Sequence, residues 1–418
     1  MHRRVVVLLL LLLALAGCQG SPAAPVQLRS MGQHFRETKE AVISSPAVAD
    51  LDGDGLVEIA IGSWDGYFYL LDARLNSLPG WPKHSPQGFF ASPALTDLDG
   101  DGELEVLVSA EAGKLYAWNK DGSDVPGWPV SLGYRAWSSP TVLPDGRIAI
   151  GGLRQTMVFE PDGQPSPGWP QPHPNWADAT VAVGPDLLVV TTLTTGRHVG
   201  GALNAWHLDG RPYPWSPRTM ANDSDSSPAI ADLDADGAYE IVYGDDAGYV
   251  YAIGLDGVDR PGWPQRTASL VEASPAIADL DGDGLLEVVC GSWDGRMYVW
   301  DHAGRLLPGW PQAARDQFIS SAALVDLDGD GAPDIVAGSK DGQVYGWTAR
   351  GEALPGFPID LGHHVFSSPW VGDLEGDGRA DMVVGANNGI HLLRDVGSMG
   401  EAPWPRFHRD LHNTGFVP

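Results

Sequence analysis

The 418-residue chain has few cysteines and little positive charge. Two cysteines are present, Cys18 and Cys290, and 26 Lys and Arg stand against 54 Asp and Glu, for a formal net charge of −28. A strongly acidic chain without basic runs is a poor partner for nucleic acid or an anionic lipid surface. Cys290 ends the largely apolar run Leu-Leu-Glu-Val-Val-Cys. We expect it to be a small buried hydrophobic residue rather than a reactive thiol.

Long hydrophobic runs are also missing. The apolar stretch from Val5 to Ala16 has 12 residues, whereas a membrane-spanning helix needs about 20. A basic start before such a short stretch is typical of a secretory signal. The stretch leads into Leu15-Ala16-Gly17-Cys18. This sequence resembles the lipobox of bacterial lipoproteins, in which cleavage precedes a cysteine that is then lipidated.

The resemblance implies a signal peptide at 1–17, a lipidated Cys18 and a tether at 18–30. The lipid would anchor the protein to a membrane without spanning it. It would also leave Cys290 as the only thiol, so no intramolecular disulfide could form. We expect a location at the bacterial cell envelope, with the outer membrane or cell surface favoured because Gln19 follows the cysteine. An ordinary secretory signal with an incidental cysteine is the alternative.

Familiar catalytic motifs and helical periodicity are absent as well. The sequence contains no G-x-S-x-G, H-E-x-x-H or P-loop motif, and so we predict no catalytic residue and no enzymatic activity. What the chain does have is 53 glycines, 34 prolines and 43% hydrophobic residues. This composition favours many short strands over disorder.

A repeat of 47 residues runs through the chain. When the units are aligned on the Ser-Pro before each acidic segment, the marker positions are Pro46, Pro93, Pro140, Pro228, Pro275, Ala322 and Pro369. The gap of 88 residues between Pro140 and Pro228 hides one further unit near Thr180, which makes eight units. A period of this size indicates a propeller or a solenoid.

One unit reads as four short strands. The Asp65-Gly66 pair marks a hairpin between the second and third strands, because that turn requires positive φ. Four antiparallel strands per unit match a propeller blade. We therefore predict an all-β fold for residues 31–418: an eight-bladed β-propeller of four-stranded antiparallel blades. We also expect the N- and C-terminal segments to share the last blade, which would close the ring.

A tryptophan recurs at one place in most units. The sequence Pro-Gly-Trp-Pro starts at Pro79, Pro126, Pro167, Pro261 and Pro308, with variants that start at Pro355 and Pro403. Repeats bury their faces only against neighbouring repeats. We interpret this aromatic residue as blade-to-blade packing and not as a stacking surface for a ligand.

Six units carry the acidic pattern D-x-D-x-D-G-x-x-[DE] after the first strand. Carboxylates at alternating positions of a tight turn can face one centre, and the glycine permits the bend. A carbonyl at the seventh position adds a ligand, and hard oxygen donors suit Ca²⁺ better than Mg²⁺. Solvated Asp-Gly turns are the alternative. However, so many carboxylates without a cation would repel one another at neutral pH.

The pattern resembles the calcium loops of integrin α-subunit propellers and, more closely, those of bacterial FG-GAP/VCBS repeat proteins. The resemblance implies about six structural Ca²⁺ ions, and in the sixth site Glu375 replaces the usual Asp. The six implied sites are Asp50, Asp52, Asp54, Leu56, Glu58; Asp97, Asp99, Asp101, Glu103, Glu105; Asp232, Asp234, Asp236, Ala238, Glu240; Asp279, Asp281, Asp283, Leu285, Glu287; Asp326, Asp328, Asp330, Ala332, Asp334; and Asp373, Glu375, Asp377, Arg379, Asp381. Units three and four lack the loop, so we expect calcium to stabilise most blades and not to act in catalysis.

The links between units vary where the framework does not. In four-stranded blades these links share a face with the hairpins between the second and third strands, opposite the acidic loops. We predict a ligand face there, formed by Trp64, Tyr134, Arg135, Trp293, His363 and His364. Further variable positions are Glu40, Gln87, Asn175, Asn222, Asp223, Asp316 and Gln317, with Arg197 and His198 in an expanded hairpin of unit four. Binding residues concentrate on such loops, although unconstrained surface loops vary in the same way.

Together these features favour a monomeric, lipid-anchored, calcium-stabilised module that binds a protein or glycan ligand. A polysaccharide lyase is the enzyme alternative, with Arg135, His198, His363 or His364 in a central cleft. A quinone-dependent dehydrogenase ranks last, because D-x-D-x-D-G loops stand here in place of that family's Trp-docking motif.

Overall fold

The computed structural model describes residues 33–194 and 200–418. Over these residues the chain forms 32 strands and no helix, so this part contains no helix that could cross a membrane. The strands make eight antiparallel sheets of four strands each, which confirms the predicted eight-bladed β-propeller. The predicted signal peptide, the lipidated Cys18 and the tether lie outside the described residues.

The strand bounds follow the repeat. The N-terminal strand is β1 (Gln33–Glu37); blade 1 has β2 (Ala47–Ala49), β3 (Glu58–Gly62), β4 (Tyr67–Leu71) and β5 (Lys83–His84); blade 2 has β6 (Ala94–Thr96), β7 (Glu105–Ala110), β8 (Lys114–Trp118) and β9 (Val130–Ser131); blade 3 has β10 (Thr141–Val142), β11 (Ile148–Ile150), β12 (Leu153–Phe159) and β13 (Gln171–Trp176); blade 4 has β14 (Ala182–Gly184), β15 (Leu187–Thr192), β16 (Ala202–Trp206) and β17 (Arg218–Thr219). The second half of the ring continues the pattern: blade 5 has β18 (Ala229–Ala231), β19 (Glu240–Gly244), β20 (Tyr249–Gly254) and β21 (Gln265–Arg266); blade 6 has β22 (Ala276–Ala278), β23 (Glu287–Gly291), β24 (Arg296–Trp300) and β25 (Gln312–Ala313); blade 7 has β26 (Ala323–Val325), β27 (Asp334–Gly338), β28 (Gln343–Trp347) and β29 (Ile359–Asp360); blade 8 has β30 (Trp370–Gly372), β31 (Arg379–Ala386) and β32 (Gly389–Ser398).

The middle strands are buried on both faces, because each blade is packed between two others. Every residue of β3 and β7 is buried, whereas the short outer strand β5 is partly exposed. The hydrophobic core is therefore a set of layers between adjacent blades. One such layer joins Ala60 and Phe68 of blade 1 to Val106 and Trp118 of blade 2.

The two ends of the propeller sequence meet in blade 8. Strand β1 pairs antiparallel with β32, from Gln33 opposite Leu393 to Glu37 opposite Gly389. The sheet order is β1-β32-β31-β30. The last blade therefore takes its outer strand from the N-terminal side and its other three from the C-terminal side, which confirms the predicted closure of the ring.

The recurring tryptophans join neighbouring blades, as predicted. Trp81 donates its indole N–H to the carbonyl of Lys120 at 2.7 Å, and Trp310 donates to the carbonyl of Ala349 at 2.8 Å. Both carbonyls belong to the next blade along the ring, so each tryptophan both packs and hydrogen-bonds across the interface.

Two positions of this tryptophan series differ from the prediction. Trp404, predicted as a variant of the series, lies instead in the central channel, where it is completely buried beside Leu324. In unit four the equivalent residue is Trp215, which donates to the carbonyl of Leu255 at 2.8 Å. It stands in the segment Pro-Trp-Ser-Pro, which departs from the repeated Pro-Gly-Trp-Pro, and therefore the motif did not predict it.

A ring of hydroxyl groups also ties the blades together around the channel. In each case a backbone N–H of one blade donates to the hydroxyl of the next blade at 2.9–3.0 Å. The donor and acceptor pairs are Ser45–Ser92, Ser92–Ser139, Thr180–Ser227, Ser227–Ser274, Ser274–Ser321, Ser321–Ser368 and Ser368–Ser45. The last bond joins blade 8 to blade 1, so seven of the eight blade interfaces carry a bond of this kind.

The C-terminal segment 399–418 fills one end of the channel, which the sequence did not predict. Its backbone carbonyls accept hydrogen bonds from the innermost strands of six blades, at Leu95, Val142, Val183, Ile230, Leu324 and Val371. Arg406 is almost completely buried in this segment. Its guanidinium donates to the carbonyls of Pro46 and Pro93 at 3.2 and 3.0 Å.

The segment enters the channel from the acidic-loop face. The backbone N–H of Asp326, the first acid of its loop, donates to the carbonyl of Glu401 at 2.8 Å. The channel is thus closed on the side of the acidic loops, whereas the opposite mouth forms an open cavity with Phe407 at its floor.

Candidate functional site

Each acidic loop is wound around its first carboxylate. In the loop 50–58, Asp50 accepts hydrogen bonds from the backbone N–H groups of Gly53 and Gly55, both at 2.8 Å. Gly55 has a φ of 84°, a conformation that glycine adopts without strain. Glu58, at the ninth position, accepts from the N–H of Leu51 at 3.0 Å. The loop is therefore pre-shaped by its own carboxylates.

The remaining carboxylate oxygens converge. In four of the loops three acidic side chains place one oxygen each within 4.8 Å of one another. These groups are Asp50, Asp52 and Glu58; Asp97, Asp99 and Asp101; Asp232, Asp234 and Glu240; and Asp279, Asp281 and Glu287. A donor set made only of carboxylate oxygens on a flexible turn fits Ca²⁺, which takes several oxygen ligands in irregular geometry.

The ninth-position acids are the most perturbed groups of these loops. Burial, followed by repulsion from the other loop carboxylates, raises the pKa of Glu287 to about 8 and the pKa of Glu105 to about 7. Both side chains are buried. The ionised loop is therefore costly to the folded protein at neutral pH, and a bound divalent cation would offset that cost.

A second feature lies at the open channel mouth. Each blade contributes one residue from the same place, two before its Ser or Thr of the hydroxyl ring. Five of them are apolar and form one arc: Ile319, Phe366, Ile43, Phe90 and Trp137. The other three are acidic and form the opposite arc: Asp178, Asp225 and Glu272. The cavity between the arcs has a volume of about 150 Å³.

The acidic arc carries perturbed carboxyl groups. Burial, and next the neighbouring Asp225 carboxylate, raises the pKa of Asp178 to about 7. Burial and then the charges of Asp225 and Asp246 raise the pKa of Glu272 to about 7. Titratable groups of this kind in a cleft are typical of binding or reaction sites.

The apolar arc continues outward as an aromatic ridge. Trp64 meets Phe90 edge-on with ring centroids 6.3 Å apart, and Phe90 stacks on Trp137 at 5.2 Å. The guanidinium of Arg135 lies 4.1 Å from the ring centroid of Trp137 and 5.7 Å from that of Trp176. Such a ridge offers stacking surfaces to a ligand that enters the mouth.

Comparison with known proteins identifies the repeat. The FG-GAP-like repeat family matches residues 50–108, 279–337 and 326–384. These segments contain five of the six acidic loops. The chain carries FG-GAP-like repeats. No curated protein matches the chain.

Solved structures resemble the chain in fold. The computationally designed protein Ika8 has a TM-score of 0.60 at 14% identity, over 87% of this chain and 100% of its own. The quinohemoprotein alcohol dehydrogenase from Comamonas testosteroni has a TM-score of 0.64 at 14% identity, over 89% of this chain and 77% of its own. At this identity the likeness concerns the architecture alone.

On the face of the open mouth lie three of the six predicted ligand-face residues, Trp64, Arg135 and Trp293. Trp64 is 43% exposed. Its backbone N–H donates to the carbonyl of Ala41 in the link at 2.9 Å, so the hairpin and the link share one face. Arg135 is exposed and pairs with Glu111 at 3.1 Å. The Trp293 ring lies 5.9 Å from the Lys340 ammonium.

The other three predicted positions do not share one orientation. The ring of Tyr134 turns away from the face and into blade 3, where its hydroxyl lies 4.0 Å from the sulfur of Met157. His363 is exposed, and His364 bonds to the carbonyl of Lys340. Arg197 and His198 lie outside the described residues.

The mouth residues were not among the ligand-face positions predicted from the sequence, although the repeat contains a signal for them. In seven units they stand three positions before the Pro or Ala marker, so they recur at 43, 90, 137, 225, 272, 319 and 366, with Asp178 in the unit that lacks the marker. Across the eight units this position changes from apolar to acidic around the ring, whereas the following hydroxyl barely varies. The variable residues chosen from the sequence lie slightly further out in the links.

Proposed function

We propose that the protein is a non-enzymatic binding module, stabilised by calcium and held by a lipid at the bacterial cell envelope. Its ligand is a protein or a glycan that enters the open channel mouth. The proposal rests on the mouth, where each blade contributes one residue to a concave surface and these residues change from apolar to acidic around the ring. Binding sites are concave, largely apolar and carry a few convergent polar groups.

The direction of approach follows from the C-terminal segment. Because that segment fills the channel from the acidic-loop side, a ligand reaches the cavity only from the opposite face. The aromatic ridge from Trp64 to Trp137 would contact apolar or sugar-ring surface. Asp178 and Glu272 on the far side would accept hydrogen bonds or attract positive charge.

Calcium in this proposal is structural. The carboxylates that would hold it lie in the loops between the first two strands of a blade, on the closed face of the ring. Blades 3 and 4 have no such loop, yet they keep the four-stranded sheet. The ion would therefore fix a turn and neutralise its charge rather than touch a ligand.

The experiment combines capture with direct binding. Ligands captured from native envelope extracts and a glycan array are identified first, and the purified ligand is then titrated against the wild type and two variants. Trp137→Ala removes the inner end of the aromatic ridge, where Trp137 also lines the cavity, whereas Val258→Ser changes a residue that is 58% exposed in a loop on the acidic-loop face.

The proposal predicts that Trp137→Ala weakens binding at least tenfold, since an aromatic contact in a hot spot is worth about 2 kcal/mol or more, and that Val258→Ser leaves it unchanged. Binding that survives Trp137→Ala but not Val258→Ser would place the ligand on the other face. Release of unsaturated ends from an acidic polysaccharide would instead establish a lyase.

A further inference from the structure

A lysine side chain enters the first acidic loop. The ammonium of Lys120, which belongs to blade 2, lies 2.6 Å from an oxygen of Asp52 and 3.0 Å from an oxygen of Glu58 in blade 1. Only 19% of this side chain is exposed. A positive charge therefore already contacts two of the carboxylates that would hold a divalent cation.

Two other loops have a comparable cation. Arg260 bonds Glu240, the ninth residue of the loop 232–240, at 3.1 Å. Arg394 lies 3.0 Å from Asp381 and 3.4 Å from Glu375 in the loop 373–381. The Glu375 that departs from the repeated pattern is thus turned towards an arginine.

The other three loops differ. Among the described residues, no lysine or arginine forms an ion pair with a carboxylate of the loops 97–105, 279–287 and 326–334, with 4.0 Å as the limit. For the loops 50–58 and 279–287 the contrast can be traced to one position. Ala349 stands beside the loop 279–287 where Lys120 stands beside the loop 50–58, because each carbonyl accepts the indole N–H of the preceding blade's tryptophan.

We propose that Lys120, Arg260 and Arg394 are resident counter-cations that divide the six loops into two classes. This inference rests on the proposed calcium role. The loops 97–105, 279–287 and 326–334 bind calcium tightly and depend on it. The loops 50–58, 232–240 and 373–381 bind it weakly, because the ion has to displace or approach a fixed positive charge, and they keep their shape at low calcium.

The expected size of the difference follows from Coulomb's law. A single charge a few ångströms from a divalent ion in a partly solvated site lowers its affinity roughly tenfold to hundredfold, even after the flexible side chain swings aside. A difference in calcium affinity of this size separates calcium binding into two steps that a titration can resolve.

The test is calorimetric titration of the metal-free full chain with CaCl₂. Two reciprocal variants exchange the two classes at one loop each: Lys120→Ala removes a counter-cation, and Ala349→Lys supplies one. Lys114→Ala, an exposed lysine in the same blade, is the matched control. Far-UV circular dichroism checks that each variant is folded.

The wild type is expected to bind about three ions tightly and about three at least tenfold more weakly. Lys120→Ala then gains one tight site, Ala349→Lys loses one, and Lys114→Ala changes neither number. Six equivalent sites, or tight-site numbers that do not respond to the two variants, would overturn the division while leaving the calcium role intact. Absence of any bound calcium would overturn both.

Discussion

The C-terminal segment depends on one buried cation, and Arg406→Met tests that dependence. Methionine keeps much of the aliphatic volume but donates no hydrogen bond. The carbonyls of Pro46, Pro93 and Asp410 each lose a donor. Asn413 still donates to the carbonyls of Asp410 and Pro93, so of the three only the Pro46 carbonyl is left without a donor, at a cost of about 1–3 kcal/mol.

The net loss of stability is smaller than the upper end of that range. Burying the guanidinium is itself costly, and burial lowers the pKa of Arg406 to about 10. Methionine does not incur that cost. We therefore expect a loss of about 2 kcal/mol in the free energy of unfolding, within the range for one carbonyl left without a donor.

The assay is urea unfolding in calcium, followed by tryptophan fluorescence, for Arg406→Met and for Arg409→Met. Arg409 is three residues along the same segment, and its guanidinium lies 3.7 Å from Asp410 with 27% of the side chain exposed. A partly exposed pair of this kind contributes less than about 1 kcal/mol. If the two variants lose the same stability within about 0.5 kcal/mol, the role assigned to Arg406 is wrong.

Two further predictions concern the loops and the blade interfaces. In chelator, the protein should lose stability as the pH rises from about 4.5 to about 8. The reason is that the pKa of Glu287 is about 8 in the folded protein against an ordinary 4.5, so the fold favours the protonated carboxyl group. Calcium should abolish most of this pH dependence, and a metal-free protein that gains stability over that range would contradict the prediction. Trp263→Phe should lower the free energy of unfolding by about 1–3 kcal/mol, because the carbonyl of His302 loses its 2.9 Å donor; Trp64→Phe, on the exposed ridge, is the control and should cost much less.

The architecture could be predicted from the sequence because it is repeated. A spacing of 47 residues, an Asp-Gly turn and a tryptophan at one place in most units each have a local physical meaning, and their recurrence makes the pattern readable. The loop carboxylates could be predicted for the same reason. Their positions along a tight turn determine where the oxygens meet.

The C-terminal segment could not be predicted in this way. Arg406 and Asn413 act through carbonyls that lie 273–360 positions away in sequence, and the segment occurs once. The repeat also does not predict which way the side chains of the links point. Of two adjacent residues, Tyr134 turns into the blade and Arg135 lies on the aromatic ridge. The role of Lys120 could not be predicted because this residue belongs to a different unit from the loop it contacts.

Calcium dependence of the unfolding temperature tests the central claim most directly. The metal-free chain is melted in chelator, in magnesium and across a series of calcium concentrations. Each site filled to about 100 times its dissociation constant adds about 2.7 kcal/mol, so the account predicts a melting temperature that climbs with calcium and barely responds to magnesium. A melting temperature that is the same in chelator and in saturating calcium would contradict the claim that these loops are held by the ion.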